Sequence, residues 1–207
     1  VIGEGEQVLL ELLECVQAWK AEKGEQAHAG RAELLRRLAR IPGVYVPSLY
    51  RVEYNGDQTI AAIEPMEEGV PRRIRKRILP ELGPVPTRPI VANMEVVHDR
   101  AMVEIQRGCS RGCRFCQAGI IYRPIRERPA DEVVAGIDDI LKATGYAEAS
   151  LLSLSSSDHS HIEEIISQAM AAHAEEGLSI SLPSLRIDSF SVRLAEMIQE
   201  TRKTGFT

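Results

Sequence analysis

The chain has 207 residues, with 25 Lys+Arg against 30 Asp+Glu and 44% hydrophobic residues. That is enough apolar material for one large domain, or for a small domain joined to part of another. A formal charge of −5 argues against holding nucleic acid by bulk charge, the apolar runs are too short to span a bilayer, and no basic start followed by an apolar stretch marks a secretory signal.

The opening "VIGEGEQ" has no starting Met and reads as if entered at the end of a buried strand. The closing "TRKTGFT" reads as a helix handing over to a fourth strand, so the sequence is expected to be an internal piece of a longer protein. After the first glycine turn, Val8, Leu9, Leu12, Leu13, Val16 and Trp19 recur at helical spacing, with Gly24 as the stop. "RAELLRRLARIPG" predicts a shorter helix ended by Pro42 and Gly43. "VYVPSLYRVEYNGDQTIAAIEP" predicts a β-hairpin turned by "NGD".

Residues 64–93 carry six prolines and no sustained periodicity. Proline removes backbone donors and disfavours helix in the residue before it, so this stretch is expected to be a linker between an N-terminal unit, 1–63, and a second unit, 94–207. Within the linker, Arg72–Arg77 form the basic run "RRIRKR". It reads either as a solvated or clamping segment or as a contact for RNA, and few aromatics flank it to stack bases.

In the second unit strand and helix alternate three times. "AMVEIQ", "ASLLSLS" and "LSISLP" predict strands; "ADEVVAGIDDILKATG", "SDHSHIEEIISQAMAAHAEEG" and "SFSVRLAEMIQETRKTG" predict helices, the middle one N-capped by Ser157 or Asp158. This is the pattern of βα units on a parallel sheet. The loops that follow the three strands should open on one face, where such folds gather their chemistry.

The first of those loops is "GCSRGCRFCQAG", with three residues between Cys109 and Cys113 and two between Cys113 and Cys116. Closely spaced cysteines in a reducing compartment point to metal rather than disulfides. A structural zinc needs four ligands, and the fourth would have to be Cys15, His98 or His159. A closed electron-transfer cluster also wants four cysteines. Cys15 sits at a helical core spacing and reads as a small buried hydrophobe. Three thiolates on a four-iron cluster would leave one iron open to a substrate. Gly108 and Gly112 would let the backbone fold tightly around it.

This spacing, together with Phe115 before the third cysteine and the position after a first strand, resembles the cluster motif of the radical S-adenosylmethionine (radical SAM) superfamily. The resemblance implies a partial TIM-like barrel in which Cys109, Cys113 and Cys116 ligate a 4Fe–4S cluster. It also implies that the methionyl amine and carboxylate of S-adenosylmethionine chelate the open iron. One-electron reduction from a flavodoxin- or ferredoxin-type donor would then yield methionine and a 5′-deoxyadenosyl radical. Phe115 would lie near the adenine. "SLSSSD" stands where the superfamily often has a Gly-Gly-Glu stretch, so Ser155, Ser156, Ser157 and Asp158 would receive the amine, unless Ser157 and Asp158 only cap the next helix. Arg186 would pair with the carboxylate or else form a salt bridge. Arg123, Arg126 and Arg128 lead into a helix or bind an anion. "VIGEGE" before a helix, followed by "IPGVYVPSLY" and "MEVVHDRAMVEIQRGCSRGCRFCQAG", resembles a bacterial branch with a Rossmann-like cobalamin-binding domain upstream. Gly3, Glu4, Gly5 and Glu6 would then line a cobalamin pocket, although the cobalt-ligating Asp-x-His-x-x-Gly motif is absent. The implied protein is cytoplasmic and acts on RNA or protein. The rival reading is a zinc-stabilised nucleic-acid-binding module.

Overall fold

The computed structural model describes residues 1–24, 30–94, 96–97, 99–186, 188–189 and 192–199. The chain divides into two compact units, Val1–Pro80 and Glu81–Thr207. The expected fourth strand at 204–207 and the end of the last helix lie outside the described residues.

In the first unit α1 (Glu6–Lys23) is followed by α2 (Arg31–Ala39) and by a hairpin of β1 (Tyr50–Tyr54) and β2 (Ile60–Pro65). The unit's core is Val8, Ala39, Val44, Val46, Leu49 and Tyr50. Leu9 and Leu13, which share the apolar spacing of α1, are exposed; spacing marks a stripe but not what covers it. Val44–Val46 do not extend the hairpin. Pro47 starts a single 3-10 turn ending at Leu49, since its fixed φ and missing N–H suit a turn start better than a ladder. The "GEGE" turn packs on the chain's own linker. Gly3 forms a parallel bridge with Arg77, at φ +97°, where any Cβ would strike the Arg77 carbonyl. Arg77 in turn reaches Glu11, 3.1 Å, and the Pro42 carbonyl, 3.3 Å.

In the second unit β3 (Ala101–Glu104), β6 (Glu148–Leu152) and β7 (Ser179–Ser181) form a parallel sheet in the order β3-β6-β7. α4 (Ala130–Thr144) links β3 to β6, α5 (Ile162–Ala172) links β6 to β7, and α6 (Val192–Gln199) follows β7. Residues of alternate parity, Val103 and Ile105, Ala149 and Leu151, Leu178 and Ile180, turn to one face and pack on Val133, Ile137, Ile140, Ile165 and Ile166 of the helices. The other face shows Met102 and Leu152 to solvent. α4 has Asp131 and Glu132 in its first turn, Lys142 in its last, and stops at left-handed Gly145, whose N–H caps the Leu141 carbonyl at 2.8 Å. Its charges suit the helix dipole and its C-terminus is capped, while Pro129 at the N-cap supplies no side-chain cap; its apolar stripe lies on the sheet. Between β3 and α4 the chain makes the cysteine loop, the short α3 (Ala118–Ile121), and a two-residue antiparallel ladder of β4 (Gln106–Arg107) with β5 (Arg126–Glu127). Among the described residues, no helix is long and apolar enough to cross a membrane.

Candidate functional site

The cysteine loop leaves the C-terminal end of β3 through Gly108. This residue has φ +89°, and a Cβ there would stand 2.6 Å from the Tyr122 carbonyl and 2.7 Å from that of Pro124, so only glycine fits. Gly112 meets nothing within 4 Å, and the expectation that both glycines are needed for tight folding holds for Gly108 alone. All three loop cysteines are free thiols. Each sulfur accepts one N–H: Cys109 Sγ from the Arg111 amide at 3.4 Å, Cys116 Sγ from the Gly119 amide at 3.4 Å, and Cys113 Sγ from Arg186 Nη1 at 2.9 Å. The loop's carbonyls are turned the other way. The Arg123 guanidinium gathers those of Cys109, Ser110 and Arg111 at 3.4, 3.4 and 3.3 Å. The loop thus presents N–H donors to its sulfurs and carbonyl acceptors to a cation.

The loop after β6 is fastened to the cysteine loop. Arg111 grips Asp158 with both arms, Nε–Oδ2 3.0 Å and Nη2–Oδ1 2.6 Å. That guanidinium, aided by the Ser155 and Ser189 hydroxyls, overcomes burial and holds the Asp158 carboxyl down to about 2 from its ordinary 3.8. Ser155 and Ser156 are fully buried. Ser155 donates to Asp158 Oδ2 at 2.7 Å. Ser156 Oγ lies 2.7 Å from the Pro183 carbonyl, 3.1 Å from that of Leu151 and 3.0 Å from Ser153 Oγ, so the hydroxyl sits in contact with the ends of both β6 and β7. Ser157 shares a hydrogen bond with Ser189 at 2.8 Å. The serine hydroxyls expected to face a ligand are therefore committed within the protein. The expected N-cap also differs: α5 begins at Ile162 after His161, with no side-chain cap, because Ser156–Asp158 form a separate 3-10 turn.

His159 is buried, and burial lowers its pKa. Its Nδ1 accepts from the His161 amide at 3.1 Å, which leaves the proton on Nε2, 3.2 Å from the Arg128 carbonyl. Arg128 is itself buried, bonded to the carbonyls of Glu104 (3.0 Å) and Gly83 (2.9 Å) and to Glu132. Arg126 reaches the Tyr122 carbonyl at 3.2 Å. Arg128 is thus committed to backbone and to Glu132, whereas Arg126 Nε is buried without a hydrogen-bond partner.

Arg186, after β7, is held by Asp188 (Nε–Oδ1 3.0 Å, Nη2–Oδ2 2.9 Å) while its third arm reaches Cys113. Asp188, and next the Cys113 sulfur, push the guanidinium pKa further up. Phe115 stands 92% exposed at the loop's tip. A cleft of about 510 Å³ opens beside Gly108, lined by Glu104, Gln106, Arg107, Tyr122, Leu152 and Leu154 among others. In the first unit, Glu4 accepts from the Leu79 amide, Gly5 precedes α1 and accepts from Leu9 at 2.8 Å, and Glu6 begins the helix.

Among the described residues no three His, Cys, Asp or Glu side chains converge on one metal ion. Of the fourth zinc ligands considered, His98 lies outside the described residues, the His159 ring is spent on backbone, and Cys15 is half-buried on α1. A cluster differs from one ion in spreading its thiolates over separate irons, and three free, N–H-bonded thiols in one loop suit it. Sequence reading misses Arg111 and Asp188, and it names Arg123 without finding its part as the clasp on the loop's carbonyls. Arg111 and Asp158 are 47 positions apart, and the only trace of their pairing is that opposite charges fall in loops after consecutive strands.

Residues 103–207 match the family described as the radical SAM superfamily, and residues 1–47 match radical SAM proteins, N-terminal. An uncharacterized protein of Methanocaldococcus jannaschii is 32% identical over 98 residues, which are 47% of this chain and 21% of the relative. The match thus spans about a fifth of that curated relative's length. No solved structure matches significantly. With the superfamily match covering half of the sequence and beginning in the strand that carries the cysteine loop, the chain belongs to the radical SAM superfamily.

Proposed function

We propose that this chain holds a 4Fe–4S cluster through Cys109, Cys113 and Cys116 and presents the cluster's open iron to S-adenosylmethionine, as the opening βα units of a partial TIM-like barrel. The observation that carries the reading is the set of three free thiols in one loop, each receiving an N–H bond. Bound there, the cluster supplies the electron that cleaves S-adenosylmethionine reductively.

The chain's own residues fix the geometry. Gly108 turns the loop, Arg123 gathers its carbonyls, and Arg111 with Asp158 locks it to the neighbouring strand's loop. Ser155–Asp158 act through the shape of that loop, since their hydroxyls and carboxylate are already paired. Phe115, free at the tip, is the residue for the adenine. The 510 Å³ cleft beside Gly108 is the space for the reacting groups. Arg186 spends its Nε–Nη2 edge on Asp188 and one Nη1 donor on Cys113, which leaves one N–H on each of Nη1 and Nη2 for the methionyl carboxylate.

The reading extends to a flavodoxin- or ferredoxin-type electron donor, to an RNA or protein substrate, and to the cytoplasm, where thiols stay reduced. In the Arg72–Arg77 run, Arg77 is held by Glu11 and Ile74 packs on the core, while Arg73, Arg75 and Arg72, the last beside Glu64, are exposed and are the residues that would meet RNA. Cobalamin at Gly3–Glu6 is left out of the proposal, because Arg77 and Leu79 fill that turn.

Anaerobic reconstitution with iron and sulfide tests the proposal. The expected product is brown, holds about four irons per chain as a 4Fe–4S cluster requires, and changes its electron paramagnetic resonance spectrum when S-adenosylmethionine is added. A colourless protein with one bound zinc would overturn it.

A further inference from the structure

The three thiols are not equivalent. Cys109 and Cys116 each accept from a neutral backbone amide at 3.4 Å, whereas Cys113 accepts from a guanidinium at 2.9 Å. The same guanidinium gives Nε and Nη2 donors to Asp188, at 3.0 and 2.9 Å. One cation is therefore shared between a cysteine sulfur and a carboxylate. Asp188 also stands 3.5 Å from Arg111 Nη1.

We propose that Arg186 is a positioning residue that raises the reduction potential of the cluster through Cys113, and that Asp188 moderates it; this rests on the cluster assignment above. Reduction adds one negative charge, which spreads onto the cysteinyl sulfurs. Donors to those sulfurs stabilise the reduced form, and hydrogen bonds to sulfur are one of the protein's levers on cluster potential. A cationic donor acts more strongly than an amide. The Asp188 carboxylate cancels part of that charge. Removing Arg186 and neutralising Asp188 must then shift the potential in opposite directions.

The test is a redox titration of the anaerobically reconstituted holoprotein, followed by electron paramagnetic resonance, with iron per chain measured in parallel. At the wild-type midpoint, Arg186→Met is expected to lower the ratio of reduced to oxidised cluster about tenfold, a shift of 59 mV for one electron. Arg186→Lys should recover part of this. Asp188→Asn should raise the ratio, with iron per chain unchanged. An Arg186→Met midpoint equal to wild type would overturn the proposal, as would an Asp188→Asn shift in the same direction as Arg186→Met. If Arg186→Met fails to retain iron, Asp188→Asn decides alone, since it leaves every cysteine and Arg186 in place: a raised midpoint supports the proposal and an unmoved or lowered one overturns it. Wild-type protein that takes up no iron–sulfur cluster would overturn the cluster assignment itself, and this inference with it.

Discussion

Arg111 and Asp158 meet end to end, Nε–Oδ2 3.0 Å and Nη2–Oδ1 2.6 Å, and so join the loop after β3 to the loop after β6. Asp158 is mostly buried whereas Arg111 keeps an exposed edge, so removing one partner costs more than breaking a surface ion pair and less than stranding a charge in a fully buried one. Asp158→Asn preserves size but removes the charge. It should destabilise the apo chain at neutral pH by about 1–2 kcal/mol, measured by urea unfolding. The sign with pH follows from a folded-state pKa lowered to about 2 from 3.8. The carboxylate's contribution is whole above the unfolded value and is lost as pH falls through the folded one. The gap between wild type and Asp158→Asn should therefore close on approaching about pH 2.

The loop cysteines should act as a set. Replacing any one of Cys109, Cys113 or Cys116 by Ala should sharply lower the iron retained after reconstitution and abolish reductive cleavage of S-adenosylmethionine, because three thiolates leave no spare ligand. Cys15→Ala should change neither, since Cys15 lies half-buried on α1, outside the cysteine loop. Iron analysis of the four variants separates this from a closed cluster, in which Cys15→Ala would cost as much as the others.

Gly108 and Gly112 offer a matched pair. Gly108→Ala would place a methyl within 2.7 Å of two backbone carbonyls at φ +89°, and backbone cannot step aside as a flexible side chain can. The expected cost is about 1–3 kcal/mol from the conformation alone, with poorer cluster uptake. Gly112→Ala meets open space and should match wild type in both thermal midpoint and iron content. Equal losses in the two variants would show that the loop tolerates neither.

The βα units are legible in the sequence because their hydrophobic periods are strong: Val133, Ile137, Ile140 and Leu141 mark one side of α4, and Ile165, Ile166 and Ala169 mark α5. The cysteine motif is legible because its three cysteines lie within eight positions of one another. What escapes sequence reading is long-range polar pairing. Arg186 and Cys113 are 73 positions apart, and nothing about an isolated arginine says which acceptor a fold will bring to it. The same holds for Ser156, which reads as a ligand in a serine-rich loop and instead sits in contact with two strand ends. In α1, spacing reveals a stripe, but Leu9 and Leu13 remain exposed, since periodicity carries no information about what lies opposite.

His159 should make the second unit acid-sensitive well before its carboxylates titrate. The ring is buried, its Nδ1 accepts from the His161 amide, and its Nε2 proton points to the Arg128 carbonyl. Protonation would put a second proton on Nδ1, against that amide donor, in a site closed to water. Burial accordingly lowers the folded-state pKa from 6.5. Below pH 6.5 the unfolded chain then binds a proton that the folded chain refuses. Stability must fall with falling pH through that window, and it must be fully restored above it. His159→Gln removes the titration while keeping a donor and an acceptor in reach of the same backbone groups. Chemical denaturation of both proteins should show wild type losing stability as pH is lowered from 6.5 toward the folded-state pKa, with the variant flat over the same range. Parallel curves for the two proteins would assign the acid sensitivity to another group.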